Sequence, residues 1–451
     1  MTEALDIQVH GIVQGVGFRP FVFNCARDHD LTGWVLNGTA GVFIHAEGDS
    51  DALDRFVMDI NDHAPAASRV TEILLEEVPV EGFVDFSIRL SQESDGQQST
   101  LVSPDLACCP DCVRELFDPA DRRYHYPFIN CTSCGPRFTI TGQLPYDRRN
   151  TSMAGFPMCP QCQREYQDPA DRRFHAQPDA CFECGPHISW KACPICPDGP
   201  DSDWTWGDTR EVSDAIISRA CQWLRAGRIL AVKGLGGFHL VCDAANPDAL
   251  ALLRQRKHRP NKAFAVMFPH MEAIRETCLV NKAEADLLQG SVRPIVLLRK
   301  RPGAPVAPGL ADNLPELGCM LPYTPLQHLL LAEFGGPLVM TSGNISGQPI
   351  EVDDEACWAA LGQVADGVLG NNRPILTRFD DSVVRVISFG GDDATHDGQD
   401  SRAQSDSQAT TAICMIRRAR GYAPMPIPVP EACLSAEDTP PVIFAAGPEQ
   451  K

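Results

Sequence analysis

The 451-residue chain has no run of eighteen apolar residues, so the sequence offers no helix that could cross a membrane. No signal peptide is expected, because the start carries Glu3 and Asp6 and has no basic stretch followed by an apolar core. Positive charge is scarce as well: the formal net charge is −20, which argues against general binding to nucleic-acid backbones. These absences predict a cytoplasmic protein with no membrane partner, and nucleic acid is not expected as a partner.

The length and the changes in composition predict several domains, since 451 residues exceed what one compact core accommodates. We assign residues 1–93 to a first domain, 104–200 to a cysteine-rich domain and 208–430 to an α/β domain. Inside the last of these, residues 390–410 contain few apolar side chains, which is typical of a disordered surface insertion.

The first domain is predicted to alternate strands and helices. Three segments show the period-two pattern of half-buried strands: Leu5, Ile7 and Val9; Val42, Ile44 and Ala46; Phe86, Ile88 and Leu90. Two helices are predicted between them, at Phe18–His29 and Asp51–Asn61. The expected order is strand, helix, strand, strand, helix, strand, in which these segments are three of the four strands; this is the ferredoxin-like arrangement.

The second domain contains an internal repeat with a period of 50 residues. Each unit is CxxC, 18 residues and CxxC, and in a reducing compartment such patterned cysteines indicate metal more often than redox pairs or disulfides. Two CxxC turns complete a tetrahedron of thiolates, so the repeat predicts two closed, structural zinc sites. The eight predicted ligands are Cys109, Cys112, Cys131, Cys134, Cys159, Cys162, Cys181 and Cys184. The spacing leaves open whether the turns pair in order or the first pairs with the fourth.

The same segment has few long apolar runs, so we expect the metal sites, and no ordinary core, to hold it together. A fifth CxxC pair, Cys193 and Cys196, has no partner turn and is interpreted as a loop.

A glycine-rich loop lies between the first predicted strand and helix. Gly11, Gly15 and Gly17 permit a tight turn whose backbone N–H groups converge on an anion at a helix N-terminus. Arg19, in the first turn of that helix, adds a guanidinium suited to phosphate oxygens. The loop therefore indicates a phosphate site, although by itself it is equally typical of an ordinary strand–helix turn.

Three segments of the α/β domain carry polar or charged groups. Lys257–Lys262 (KHRPNK) concentrates positive charge after a predicted helix, and Thr341–Asn344 (TSGN) follows a predicted buried strand. The carboxyl ends of strands are where α/β sheets bind ligands. Arg417–Pro424 (RRARGYAP) adds further guanidiniums. Each segment alone is typical of a solvated charge cluster or a turn.

Longer stretches of the sequence resemble known families. Residues 11–19 fit the acylphosphatase signature GxVQGVxFR, and Gly33–Val42 fits its second half, although Ala40 stands where an acidic residue is common. The resemblance implies that Arg19 binds the phosphoryl group and that Asn37 positions the attacking water. No side-chain nucleophile is implied, so catalysis would consist of placement and charge stabilisation.

The three polar segments of the third domain, in this order and spacing, resemble the YrdC family, which forms acyl-adenylates from ATP. By resemblance, the ATP phosphates are held by Lys257, Arg259 and Lys262, the nucleotide or its phosphates are contacted by Ser342 and Asn344, and Arg418 closes over them. His239 fits either a contact with the acyl group or a hydrogen-bonded histidine at a strand end.

The domain order resembles that of the HypF family, carbamoyltransferases of [NiFe]-hydrogenase maturation. The expected fold class is therefore multidomain α/β and α+β, with a ferredoxin-like acylphosphatase domain, a paired four-cysteine zinc-finger domain and a YrdC-like nucleotide-binding domain. The family continues into an ASKHA-type transferase domain, whose first strand residues 440–451 resemble. No two of the 12 histidines lie four apart, as that domain's metal site requires, so its remainder is expected to be missing.

The resemblance also implies a reaction sequence. Carbamoyl phosphate is hydrolysed to carbamate, which passes through an enclosed channel and reacts with ATP and Mg²⁺ to form carbamoyl-adenylate. The carbamoyl group is destined for the C-terminal cysteine of a HypE-like protein, as the precursor of a cyanide ligand. Two other functions fit the sequence: a zinc-finger and YrdC-like module that binds RNA or protein without chemistry, and a free acylphosphatase with passive appendages. Salt-dependent affinity for RNA would favour the binding module. If ATP-independent phosphate release were the only activity, that would favour the free acylphosphatase.

Overall fold

The computed structural model describes residues 2–91, 101–304, 306–389 and 410–427. The insertion predicted at 390–410 lies outside the described residues except for its last position, and so does the segment 440–451. We call residues 2–91 the first unit, residues 101–187 the cysteine unit, and the described residues from 188 to 427 the sheet unit. Within these ranges no helix combines the length and apolarity that crossing a membrane requires.

The first unit is one five-stranded sheet covered by two helices. Its elements are β1 (Thr2–Ile12), α1 (Phe18–Asp28), β2 (Thr32–Gly38), β3 (Gly41–Asp49), α2 (Ser50–Asp62), β4 (Arg69–Val78) and β5 (Phe86–Ile88). The sheet order is β4-β1-β3-β2-β5, with β1 antiparallel to both of its neighbours. Ile7, Val9 and Phe56 are almost fully buried and pack in the core between sheet and helices. The predicted ferredoxin-like fold is confirmed.

The last strand of that fold differs from the sequence-based prediction. The alternation at 86–90 predicted it there, whereas the structure places it at β4 and adds the short β5 parallel to β2. β4 forms an edge of the sheet and buries little, so Leu74 and Leu75 are 47% and 52% exposed. An edge strand with so little burial has no strict alternation to reveal it.

The cysteine unit contains two short helices, α3 (Pro110–Leu116) and α4 (Pro160–Gln167), joined by loops and single 3₁₀ turns. Each helix starts directly after the first cysteine of its repeat, with proline in the first turn, where its missing N–H costs nothing. The expectation that no ordinary core supports this segment is wrong in part. Leu116, Tyr126 and Ile129 are buried in one apolar cluster with residues of the sheet unit, so the two units share a core.

The sheet unit is built on eleven described strands. Its strands are β6 (Ile188–Ala192), β7 (Thr205–Trp206), β8 (Leu230–Lys233), β9 (Phe238–Asp243), β10 (Ala265–Met267), β11 (Ile295–Arg299), β12 (Glu316–Met320), β13 (Leu338–Ser342), β14 (Gly367–Asn371), β15 (Val383–Phe389) and β16 (Thr410–Arg417). Its helices are α5 (Arg210–Arg225), α6 (Pro247–Arg256), α7 (Met271–Thr277), α8 (Lys282–Gln289), α9 (Pro325–Phe334) and α10 (Asp354–Leu361). The sheet order is β16-β15-β11-β12-β10-β13-β9-β8-β14-β6-β7.

This large sheet is mixed, and its pairing assembles the polar ends of distant segments. β8 runs parallel to β14 and antiparallel to β9, which in turn runs antiparallel to β13. Lys233 at the end of β8 therefore faces Phe238, and Ser342 at the end of β13 faces His239. β6 also belongs to this sheet, through antiparallel pairing with β14, although the sequence analysis placed residues 188–192 in the cysteine-rich domain.

Candidate functional site

The eight predicted zinc ligands form two separate clusters of four. In the first, Cys109 and Cys112 meet Cys131 and Cys134, with sulfur–sulfur distances of 3.6 to 3.8 Å. The second repeat forms the same arrangement with the same range of distances. Tetrahedral zinc with Zn–S bonds of about 2.3 Å needs sulfurs about 3.8 Å apart, so each cluster fits one zinc ion. The CxxC turns therefore pair in order, which the spacing alone left open.

Arginines of each repeat reach across to the cysteines of the other. Arg122 donates to the Cys162 sulfur over 2.9 Å and to the carboxylate of Glu165 in α4. In the mirrored contact, Arg172 donates to the Cys112 sulfur over 3.3 Å and pairs with Glu115 in α3. Donors facing the sulfurs stabilise thiolate charge, which four cysteine ligands place around each ion. Both arginines belong to the sequence DPADRR, which occurs at residues 118–123 and again at 168–173 and ties the two clusters into one unit.

A first cavity lies where the first unit meets the cysteine unit. Arg19 and Asn37 both line it, so the structure brings the two predicted catalytic residues together. The glycine-rich loop forms one wall, with φ of 75° at Gly15 and 77° at Gly17, a backbone region that favours glycine. Thr132, Arg137, Tyr146 and His175 of the cysteine unit also line the cavity.

Two polar atoms around the first cavity have no hydrogen-bond partner among the described residues. Asn37 is buried and its Nδ2 donates to the carbonyl of Tyr146, but its Oδ1 accepts nothing, and the buried Tyr146 hydroxyl also has no partner. Gln14 holds the arrangement, because its amide donates to the carbonyl of Gly38 over 2.7 Å and accepts from the Tyr146 N–H over 2.9 Å. Buried polar atoms without partners are costly, and here they lie at the first cavity, where a polar ligand could pair with them.

The charges in the first cavity favour an anion. Arg19 is buried, and its guanidinium forms an ion pair with Asp147 over 3.0 Å and donates to Ser91. Burial and the charge of Arg19 lower the pKa of His175 to about 3, so this ring stays neutral. Sequence reasoning missed Tyr146, Asp147 and His175, because nothing in their local pattern distinguishes them from other loop residues.

A second group of predicted residues meets at the ends of β13 and α6. The ammonium of Lys257, 2% exposed, donates to the carbonyl of Ser342, to the carbonyl of Asn344 over 2.7 Å and to its Oδ1 over 3.0 Å. The Ser342 hydroxyl donates to the same Oδ1 over 2.7 Å. Burial and the charges of Arg259 and Lys262 lower the pKa of Lys257 to about 7, despite the carboxylate of Asp380. A bound anion would offset the repulsion among these cations and favour the charged form of Lys257.

Of the other predicted nucleotide-binding residues, some lie with this group and others lie apart from it. Arg259 donates to the Thr341 hydroxyl over 3.3 Å, and burial followed by the charge of Arg254 lowers its pKa to about 10. Lys262 is exposed, close enough for its charge to act on Lys257. Arg418 instead donates to the carbonyls of Tyr422 and Met425.

Arg417, which the sequence analysis did not select, is oriented differently from Arg418. It pairs with Asp380, whose charge acts on both Lys257 and Arg259. Arg417 therefore lies closer to the charged group than Arg418 does, and only their side-chain directions, not the sequence, distinguish the two.

His239 forms part of a buried ion-pair network. Its Nε2 lies 2.8 Å from Asp381, whose other oxygen accepts from Arg420 over 2.6 Å. Arg420 and His239 lower the pKa of the Asp381 carboxyl even though burial opposes them. The histidine is therefore hydrogen-bonded. Cys193, of the unmatched CxxC pair, is buried, and Cys196 accepts from Arg228 over 3.4 Å.

A second cavity lies between the cysteine unit and the sheet unit. Lys233 lines it, with its ammonium bound to Asp354 over 2.6 Å and to the carbonyl of Asn371 over 2.8 Å, and so does Arg373. One loop borders both cavities: Thr132 and Arg137 line the first, and Gly135 and Pro136 line the second. Arg137 fixes this loop by donating to the carbonyls of residues 131, 132, 134 and 136.

Profiles of three protein families match the chain in the order of its units. The acylphosphatase family matches residues 5–88, the HypF finger matches 108–141 and again 158–191, and the Sua5/YciO/YrdC family, described as telomere recombination, matches 222–392. The finger profile matches once per cysteine cluster, in agreement with the pairing in order.

Individual proteins extend these matches. The chain is 44% identical to the carbamoyltransferase HypF of Synechocystis over 432 residues, which cover 96% of this chain and 52% of that protein. It is 49% identical to the acylphosphatase of Thermotoga petrophila over 88 residues, 97% of that protein and 19% of this chain. A crystal structure of full-length HypF in a phosphate- and nucleotide-bound form superposes with a TM-score of 0.83 at 45% identity, over 95% of this chain and 51% of that one. The chain thus spans about half the length of the curated HypF proteins that it matches.

Proposed function

Since the chain belongs to the HypF family and spans about half the length of its curated members, we propose that it performs the family's first two reactions. These are hydrolysis of carbamoyl phosphate to carbamate and conversion of carbamate with ATP to carbamoyl-adenylate. The observation that carries the proposal is that Arg19 and Asn37 meet in the first cavity, one wall of which, the loop of residues 132–137, also borders the second cavity.

We assign the hydrolysis to the first cavity. Arg19 and the glycine-rich loop would bind the phosphoryl oxygens, displacing the ion pair with Asp147 in part. Asn37 would direct water at the phosphorus with its unpartnered Oδ1. The new bond joins water oxygen to phosphorus, the bond between phosphorus and the carbamate oxygen breaks, and phosphate and carbamate leave. Fixed donors that meet charge as it develops supply most of the acceleration in such reactions.

We assign the adenylation to the group around Lys257. Lys257, Arg259 and Lys262 would bind the ATP phosphates, with Ser342 and Asn344 beside them. Mg²⁺ would enter with ATP as part of the substrate complex. A carbamate oxygen attacks the α-phosphorus, the bond to pyrophosphate breaks, and carbamoyl-adenylate and pyrophosphate result. Arg418 stays assigned to closing over the nucleotide, and Arg417 becomes a second candidate because of its contact with Asp380.

Carbamate decomposes in water, so we propose that it travels through the interior from the first cavity to the second and from there to the group around Lys257. Thr132 and Arg137 border the start of this path, and Lys233 and Arg373 would attract the anion at its far side. The two zinc ions would act by keeping the loop rigid. We further propose that the carbamoyl group is destined for the C-terminal cysteine of a HypE-like protein, and that the protein acts in the cytosol, where its cysteines stay reduced.

The proposal is tested by two variants that separate the reactions. Arg19→Ala should abolish phosphate release from carbamoyl phosphate, and carbamoyl phosphate-dependent pyrophosphate release from ATP should disappear with it. Ammonium carbamate supplied directly should restore pyrophosphate release in this variant. Lys257→Ala should retain phosphate release and lose pyrophosphate release, because Lys257 lies outside the first cavity.

Exposed residues provide matched controls. Arg27→Ala on α1 and Lys282→Ala on α8 remove the same charges from solvent-exposed positions and should leave both rates unchanged. If Arg19→Ala and Lys257→Ala both keep near wild-type rates, the assignment of the two reactions is wrong. If phosphate release survives but pyrophosphate is never released, the chain is a free acylphosphatase.

A further inference from the structure

Four potential metal ligands outside the cavities meet on the helical side of the first unit. Cys25 lies in α1 and His29 is the residue that caps its C-terminus, four positions later. Asp59 lies in α2 and His63 caps that helix, again four positions later. Side chains four residues apart lie on the same side of a helix, so each helix presents a matched pair of ligands. The Cys25 site, as we call these four residues, takes no part in the reactions proposed above.

Three of the four ligand atoms of the Cys25 site lie close together, and the fourth, from His63, contacts one of them. The Sγ of Cys25, the Nε2 of His29 and a carboxylate oxygen of Asp59 all lie within 4.8 Å of one another. His29 is 2.7 Å from one Asp59 oxygen and Cys25 is 3.9 Å from the same oxygen. The Nδ1 of His63 lies 3.0 Å from the other oxygen of Asp59. One carboxylate is thus surrounded by a thiol and two imidazoles.

We propose that the Cys25 site binds a third divalent metal ion of the zinc type, with Cys25, His29, Asp59 and His63 as its ligands. A thiolate, two imidazole nitrogens and a carboxylate oxygen together are a typical four-coordinate set for zinc. Calcium and magnesium prefer sets made of oxygen, so the thiol and imidazoles exclude them. Binding releases the thiol proton of Cys25, because the thiolate is the ligand.

The exposure of the four residues suits binding from solvent. Cys25 is 8% exposed, whereas the side chains of Asp59 and His63 are 34% and 72% exposed. The thiol thus forms the floor of the site, and His63 is the ligand that moves in from the surface. Hydrogen bonding alone accounts for the two histidines on Asp59, but it leaves the thiol with only a long contact. A metal ion would join all four and link α1 to α2.

The test is the zinc content of the full chain at buffered micromolar free zinc. The wild type should hold three zinc ions per chain, two in the cysteine clusters and one in the Cys25 site. Cys25→Ser and His29→Gln should each hold two. Cys414→Ser, which removes an exposed cysteine of β16, should still hold three. Cobalt(II) added to wild type that holds zinc in the two cysteine clusters alone should produce a thiolate-to-cobalt absorption band that Cys25→Ser lacks.

His63→Gln tests the site even if Cys25→Ser or His29→Gln fails to fold, because the exposed side chain of His63 contributes little to packing. It should keep the wild-type circular dichroism spectrum and phosphate release, yet weaken the third zinc ion at least tenfold. A wild type that binds only two ions under these conditions overturns the proposal. So does a third ion that binds equally well to wild type, Cys25→Ser, His29→Gln and His63→Gln.

Discussion

Binding of ATP should take up a proton at Lys257. The ammonium is buried beside Arg259 and near Lys262, and burial together with these charges lowers its pKa to about 7. At pH 8 and above, Lys257 is therefore mostly neutral in the free chain. The ATP phosphates favour the charged form, so the bound state should hold a proton that the free state lacks.

The expected size follows from linkage. If ATP restores the pKa of Lys257 to its ordinary value of about 10.4, each unit of pH between 8 and 9.5 should lower the apparent ATP affinity almost tenfold, about 1.4 kcal/mol. The free energy of unfolding of the free chain, in contrast, should rise as the pH rises. Because folding lowers this pKa, Lys257 stabilises the fold fully above pH of about 10.4, and that contribution is lost as pH falls to about 7.

Calorimetric titration with Mg²⁺-ATP measures both quantities, since buffers with different ionisation enthalpies give the number of protons taken up. We expect close to one proton at pH 8.5. Lys257→Met should bind ATP more weakly with affinity independent of pH, whereas Lys282→Met, at an exposed position, should behave like wild type. An ATP affinity that changes less than twofold between pH 8 and 9 in the wild type would refute the assignment of Lys257 to the phosphates.

Three further predictions concern the other parts of the molecule. Arg19→Ala should reduce kcat/KM for carbamoyl phosphate by at least a hundredfold, a loss of about 3 kcal/mol or more of transition-state stabilisation. Asn37→Ala should lower kcat more than it raises KM. Steady-state phosphate release measures both effects. Arg172→Ala removes the donor 3.3 Å from the Cys112 sulfur. A chelator should therefore extract zinc from the first cluster about tenfold faster, which corresponds to an activation free energy lower by about 1.5 kcal/mol or more. Zinc loss from the second cluster should be unchanged, and Arg114→Ala, at an exposed position, should have no effect. Asp381→Asn leaves the buried charge of Arg420 without its carboxylate and should cost about 3–5 kcal/mol in urea unfolding. Because the folded pKa of Asp381 is lowered, this stabilisation is present at neutral pH and is lost as pH falls into the acid range, so the difference between wild type and variant should shrink there.

The fold was predictable where burial imposes a pattern. The strands β1 and β3 alternate because one face packs on α1 and α2, and the glycine-rich loop marks the turn between β1 and α1. β4 could not be recognised, because an edge strand that buries little has no required alternation. β6 was hidden for another reason: it follows the second zinc cluster directly, and only its pairing with β14 assigns it to the large sheet.

The candidate site was predictable only in the residues that carry recognisable motifs. Arg19 and Asn37 stand in a signature, but Tyr146 and His175 reach the same cavity from loops more than a hundred residues away. Their placement depends on how the cysteine unit folds around its zinc clusters, which local sequence does not encode. The pairing of the CxxC turns and the different orientations of Arg417 and Arg418 likewise depend on three-dimensional contacts.

Isotope transfer tests whether carbamate passes through the interior from the first cavity to the group around Lys257. The chain would be given ¹³C-carbamoyl phosphate, Mg²⁺-ATP and an excess of unlabelled ammonium carbamate, and carbamoyl-adenylate would be analysed by mass spectrometry. We predict that the adenylate carries the ¹³C label largely undiluted, because carbamate made in the first cavity reaches the group around Lys257 without entering solvent. Label diluted to the ratio of carbamate in solution, or no carbamoyl-adenylate at all, would contradict the account.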